Sequence, residues 1–446
     1  NGHSVSPLDR TPAKAEAVVA AGAELPGDLF AFADVVDFVA SLPVPRSVLV
    51  LVPSGGPLDS VVEMLSPALT EGDLIADLGN SYYKETERRV SECEAKGLMF
   101  LGMGISGGAE GARHGPSIMA GGSQASWDRV KAPLQDASAK FDGAPCCDWF
   151  GPGGAGHFIK MMHNGIEYAD MQMIAEAYGM MRDGWRMSAA ECGEVFAGWM
   201  DGPLNSYLAE IAAEVARAED PETGAPMLDL ILDKAGQKGT GRWSVIEALH
   251  LGAPASLMQA AVEARNLAAD LDGRRAGAAL YGDISRGDLG DRAVGLAALE
   301  AAMIAAKVCA YTQGFEVLRR ASEAFDWSLD LAAIARVWRA GCIIRSVLLD
   351  DIAEAFEADG NRMLSHAPKF ADLMQANTTA LQDTVVAALG AGIDVPALAA
   401  ALSYHNANRT ERSTANMIQG LRDRFGAHTF ERLDRPGEKV NGPWHG

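Results

Sequence analysis

The pattern of this chain changes character near Gly156: before it, β-branched runs alternate with helical stretches, and after it the strand signals stop. Ser4–Leu8 and Ser47–Val52 (SVLVLV) read as strands, the second followed by a turn at Pro53-Ser54-Gly55-Gly56. Asp59–Leu69 is helix-like, Asp73–Asp77 strand-like, Lys84–Lys96 a charged helix, and Leu98–Leu101 opens a further strand. Such alternation predicts an α/β, doubly wound, mostly parallel sheet of Rossmann type. Ligands bind such sheets at the carboxyl ends of the strands, so the loops after Val52, Asp77 and Met103 are the places to look. Long Ala-, Leu- and Met-rich helical patterns then run to about Ala407, broken near Asp220–Pro226, Gly236–Gly241 and Tyr281–Arg292. The reading is a dinucleotide-binding domain over 1–153, an all-helical domain over 154–410 and a C-terminal tail over 411–446.

A chain of 446 residues, 48% of them hydrophobic, is long enough for two or three domains and apolar enough to bury a core. Its net charge of -21 repels polyanions, which argues against nucleic acid or an anionic membrane as partner. An anionic small molecule would need cations gathered locally against that field. No apolar run reads as a membrane span and no signal peptide is visible. The six cysteines include no C-x-x-C pair, and Cys146–Cys147 is vicinal, so buried thiols in a reducing, cytoplasmic setting are expected.

The most informative stretch is Gly154–Tyr168. Lys160, His163, Asn164, Glu167 and Tyr168 fall at i, i+3, i+4, i+7 and i+8 and share one helical face. Phe158, Met162, Ile166 and Ala169 take the other. A polar stripe alone is usually a solvated face over a core side. Here glycines precede the helix and permit close backbone approach, and a lysine and a glutamate two turns apart supply two proton carriers. A second stretch, Met103–Ser117, is glycine-rich and follows a predicted strand; alone it would be a turn. A third, Ala235–Gly241, sets Lys238 between glycines; alone it would be a surface loop.

Together with Gly79-Asn80-Ser81, Ala264-Arg265, Ala415–Asp423 and Phe425–Thr429, these motifs resemble, in order, the decarboxylating 6-phosphogluconate dehydrogenase family. The resemblance runs from Gly2 to Trp444. It implies oxidation of the C3 hydroxyl of 6-phosphogluconate with hydride passed to NADP, loss of CO2, and protonation of an enediol to ribulose 5-phosphate, without a metal. Lys160 matches the family base and Glu167 the family acid. Asn80, Ser106, Gly107, Gly108, His163 and Asn164 match substrate-holding positions. Tyr168, Lys238 and Arg265 match the phosphate site, joined by Arg422 and His428 from the tail of the other subunit of a homodimer. That would gather the cations the overall charge demands.

On the cofactor side the resemblance implicates Asp9, Arg10, Thr11, Val52, Pro53 and Asn80. The family usually has Asn-Arg-Thr where this chain has Asp9-Arg10-Thr11, its arginine gripping the 2′-phosphate. A carboxylate at that place suits a ribose hydroxyl, so NADP is expected with NAD as the alternative. Pro53, Leu78, Ala109 and Ala120 also depart from the family pattern, without removing a proposed proton carrier. The family opens with a strand, a glycine-rich turn and a helix ahead of the position of Asn1, so an upstream cradle for the pyrophosphate is expected to be missing here. Two other readings compete: a β-hydroxyacid dehydrogenase for a smaller acid, which leaves Lys238 and Arg265 unexplained, and a non-catalytic dimeric sugar-phosphate-binding protein.

Overall fold

A computed structural model describes residues 2–445. They fall into two compact units, divided between Ala401 and Leu402.

The first unit begins with helix α1 (Pro12–Ala21) and then builds a five-stranded sheet in sequence order. Its elements are β1 (Ser47–Val50), α2 (Gly56–Leu65), β2 (Leu74–Asp77), α3 (Tyr83–Glu94), β3 (Met99–Ser106), α4 (Gly108–His114), β4 (Ser117–Gly122), α5 (Gln124–Ala137) and β5 (Cys147–Trp149). Three of the four pairings are parallel; β3 and β4 are antiparallel, with Ser106 opposite Ser117. Burial on both faces explains the near-continuous apolar strands. Val48, Val50, Ile75 and Phe100 pack to one side with Leu58 of α2, and Leu74, Ala76, Leu101 and Met103 to the other with Trp127 of α5.

Two local expectations are corrected. Ser4–Leu8 is not a strand: Val5 and Leu8 make only isolated parallel bridges to Leu29 and Phe32. Pro7 stands between them and has no N–H to continue a ladder. The helix expected over Asp59–Leu69 starts earlier, at Gly56, with Pro57 tolerated in its first turn, and stops at Leu65 just ahead of Pro67.

Helix α6 (Ala155–Gly179) crosses the sheet and is the axis of the helical part. Its start lies on β3 and β4 because glycine replaces side chains where they meet. A Cβ on Gly104 would stand 2.1 Å from the Cβ of Lys160, one on Gly102 would stand 2.7 Å from His157 Nδ1, and one on Gly121 would stand 2.3 Å from Gly156 N. Glycine inside a strand marks such close approach. Helices α7 (Thr240–His250), α8 (Ser256–Ala269) and α9 (Arg292–Ala324) cover the rest of α6, and α9 packs along α10 (Pro368–Gly390).

By length and composition α9 could cross a membrane, contrary to the sequence expectation that no run reaches that length. More than half of its apolar window is buried within the protein, and its buried Lys307 ion-pairs Asp170 of α6 at 2.9 Å. It is dressed as the core helix of a helical array. All six cysteines are free and buried.

The second unit carries the end of helix Pro396–Asn408, then α11 (Ala415–Gly426) and a hairpin of β6 (Phe430–Arg432) and β7 (Arg435–Val440). The hairpin was not foreseen in the tail. Its organiser is polar: buried Asp423 accepts from Thr429 N, Gly442 N and Trp444 Nε1 at 2.9–3.0 Å.

Candidate active site

Strands β1, β2 and β3 run parallel, so the loops that leave their carboxyl ends share one edge. Beside it the first three turns of α6 present Lys160, His163 and Asn164, none of them solvated: the three are 5%, 0% and 8% exposed. The stripe is therefore an inward-facing polar cluster.

Its polar atoms are tied to one another and to three neighbouring segments. Lys160 Nζ donates to Asn164 Oδ1 at 2.7 Å and lies 3.3 Å from His163 Nδ1. Asn164 Nδ2 donates to Thr240 Oγ1 at 3.1 Å, which turns the amide so that its oxygen faces the lysine. His163 Nε2 lies 3.1 Å from Ser106 Oγ, and the Ile343 N–H donates to the same hydroxyl at 3.4 Å. Glu167 Oε2 is 3.8 Å from His163 Nδ1. One turn on, the Arg265 guanidinium stacks 3.5 Å over the ring of Tyr168. A Cβ on Gly241 would strike that ring at 2.4 Å, so glycine is what lets α7 seat against it.

The electrostatics follow from burial. Desolvation lowers the Lys160 pKa to about 8, with Glu167 pulling the other way. Burial raises Glu167, opposed by Lys160 and Arg265. Burial and then Lys160 hold His163 well below its usual range, so the ring is neutral at neutral pH. A base with an accessible neutral form and a carboxyl with an accessible protonated form stand one turn either side of a neutral imidazole. That arrangement can take a proton at one end of a short substrate and give one at the other.

The loop after β2 is set by Asp77, which accepts from Gly79 N at 2.8 Å and from Ser81 Oγ at 2.5 Å and leaves Asn80 exposed. A Cβ on Gly79 would stand 3.2 Å from the Val52 carbonyl oxygen, so the β1 and β2 loops touch, with Pro53 exposed beside them. Gly107 packs on Gly111 and the Gly341 carbonyl with φ 124°, while Gly108 is exposed with φ 61°. Asp9 accepts from Thr11 N at 2.8 Å at the start of α1, and Arg10 is exposed. Lys238 is exposed on the loop entering α7. Arg422 and His428 belong to the second unit, where both are exposed and Arg422 donates to Gln419.

Sequence reasoning missed Thr240, Asp77 and the Ile343 N–H. Thr240 and Asp77 carried a usable signal: Thr240 lies between two glycines in a stretch already singled out, and Asp77 ends a predicted strand two residues ahead of Gly79. Ile343 carried none, because a backbone donor has no sequence identity.

Comparison with known proteins places both parts of the chain. Residues 1–151 match the NAD binding domain of 6-phosphogluconate dehydrogenase and residues 156–444 its C-terminal domain. A decarboxylating 6-phosphogluconate dehydrogenase of Chlamydia pneumoniae is 45% identical, covering 100% of this chain and 93% of its own. One from Bacillus subtilis, described as NAD(+)-dependent and decarboxylating, is 45% identical over 90% of this chain and 86% of its own. Among solved structures, Plasmodium falciparum 6-phosphogluconate dehydrogenase, described with NADP+ and with 6-phosphogluconate, superposes with a TM-score of 0.93 at 36% identity, covering 99% and 95% of the two chains.

Proposed function

The chain belongs to the 6-phosphogluconate dehydrogenase family, and from that premise we infer that it converts 6-phosphogluconate and NADP to ribulose 5-phosphate, CO2 and NADPH. The single observation that carries the reading is the buried Lys160–His163–Asn164 cluster with Glu167 one turn beyond.

Lys160 takes the proton of the C3 hydroxyl as hydride leaves C3. A pKa of about 8 raises its neutral fraction near neutrality by about two orders of magnitude over an ordinary lysine. The protonated lysine then hydrogen-bonds the C3 carbonyl oxygen and draws in electrons as the C1–C2 bond breaks and CO2 departs. Asn164 holds the ammonium in place by accepting from it. Glu167, protonated more readily than an exposed carboxyl, gives its proton to C1 of the enediol. Ser106, Gly107, Gly108, His163 and Asn80 orient the sugar acid, and Tyr168, Lys238 and Arg265 bind its phosphate. Arg265 gains rigidity from its stack on Tyr168.

The donor set near the chain start fits the adenosine end of a dinucleotide: Arg10 offers a cation to a 2′-phosphate, and Asp9 and Thr11 offer acceptor and donor to a ribose. Val52, Pro53 and Asn80 line its path toward Lys160. NADP supplies the hydride acceptor when bound. Asp9 favours a secondary use of NAD, the cofactor by which the Bacillus subtilis relative is described.

The functional division remains 1–153 for cofactor, 154–410 for substrate and pairing, and 411–446 as a tail that completes the partner subunit's phosphate site with Arg422 and His428. Supporting pairing, Met417, Ile418, Leu421 and Phe425 form one apolar face of α11 that is 56–75% exposed within its own chain. The enzyme works in the cytoplasm. The test is NADP reduction with stoichiometric CO2 release on 6-phosphogluconate; binding of 6-phosphogluconate without either product would favour the non-catalytic reading.

A further inference from the structure

Thr240 and Glu247 lie seven residues apart and so share one face of α7, two turns from each other. Thr240 meets Asn164 at the Lys160 cluster. Between them Ser244 donates to the Met161 carbonyl at 2.7 Å, tying the middle of α7 to α6. Glu247, 1% exposed, reaches the opposite way, to the segment that leaves the Asn80 loop. Tyr83 Oη donates to its Oε2 and Lys84 Nζ to its Oε1, each at 2.9 Å; Tyr82 Oη also donates to Oε1. His250 Nδ1 stands 3.4 Å from the same oxygen. The ring of Tyr82 lies 5.1 Å from that of Trp243, and Tyr83 is wedged against Phe158 of α6 at 5.0 Å.

A carboxylate buried this deeply is tolerated only because its oxygens are filled, and all three of its strongest donors come from consecutive residues, 82–84. Those residues follow Gly79-Asn80-Ser81 directly, and Asp77 pins that loop independently from the sheet side. One rigid path therefore runs from the sheet through the Asn80 loop and Glu247 along α7 to Thr240, Asn164 and Lys160. The exposed Lys238 enters α7 at its other end.

We propose that Glu247 is a positioning residue: by gripping Tyr82, Tyr83 and Lys84 it fixes the spacing between the Asn80 loop and the Lys238–Thr240 end of α7, and so the fit of the site to the length of its phosphorylated sugar acid. The proposal rests on the functional reading above.

In the full chain, Glu247→Gln keeps the volume but removes the charge that holds Lys84 and turns one acceptor into a donor facing tyrosine hydroxyls. The KM for 6-phosphogluconate should rise about tenfold, the equivalent of one charge-assisted hydrogen bond, while the KM for NADP stays within about twofold because Asp77 still holds the cofactor-side loop. Hydrogen exchange read by mass spectrometry should quicken in 79–84 and 239–250 and nowhere else. A purely structural role would lower the active fraction and leave both KM values unchanged. Unchanged KM values, a parallel rise in both, or unaltered exchange in the two segments overturns the proposal. If the unmutated chain does not turn over 6-phosphogluconate, the functional reading has failed and the exchange pattern alone decides whether the clamp exists. Should Glu247→Gln not fold, Tyr83→Phe removes one donor but keeps the ring on Phe158, and should give the same pattern in smaller measure.

Discussion

Replacing Gly104 by alanine tests what places Lys160. Gly104 sits in β3 directly beneath α6, and an added Cβ would stand 2.1 Å from Lys160 Cβ, 2.7 Å from its Cγ and 3.2 Å from the Gly156 carbonyl oxygen. Ordinary contact begins at 3.4 Å, so helix and strand must part by more than about 1 Å; neither neighbour is the loose end of a side chain. Overpacking of one methyl in a close-packed layer costs about 1–3 kcal/mol, a loss of a few degrees in Tm that leaves the chain folded. Catalysis should suffer far more, because a displacement of about 1 Å at a reacting group costs on the order of 10²-fold. The assay is NADPH formation under saturating substrates, with circular dichroism and a thermal melt on the same samples. Gly179→Ala is the control: it lies near the end of the same helix with nothing within 4 Å of the added Cβ, and should be neutral or slightly stabilising. A Gly104→Ala enzyme with near-normal kcat would refute the argument that strand–helix contact sets the position of the lysine.

Lys160→Met should abolish oxidation and decarboxylation together, and Glu167→Ala should lower kcat by about 10²–10⁴-fold with less effect on substrate binding; near-normal steady-state rates in either would remove that residue from the mechanism. Because the base must be neutral and burial depresses its pKa, kcat/KM should rise as pH climbs through about 8 and then level; a plateau extending well below that pH would contradict the assignment of Lys160. Mixing Arg422→Ala chains with Lys160→Met chains should recover part of the activity, since one hybrid site per dimer keeps both groups. No recovery after proven subunit exchange would mean that the tail serves its own chain.

Periodicity and turn chemistry were enough to write the alternating sheet, the all-helical remainder and the shared face of Lys160, His163, Asn164, Glu167 and Tyr168, because each depends on neighbours within a few residues. The glycines just before the catalytic stripe, Gly154 and Gly156, were legible too, as places where backbone comes close, though not what they approach; the close contacts of Gly102 and Gly104 inside β3 were not. The sequence also placed Arg422 and His428 in a tail without showing that Asp423 would fold that tail about a polar centre.

Tertiary structure alone decided that the stripe is buried. A helix read by itself shows which residues share a face, while desolvation of that face depends on β3, α7 and residues 338–343 arriving from far along the chain. The lowered pKa of Lys160, the amide orientation of Asn164 set by Thr240, and the hydroxyl of Ser106 beside His163 all come from those arrivals. Local sequence could name the proposed proton carriers; the medium that lowers the pKa of one of them is assembled from segments more than fifty residues away on either side.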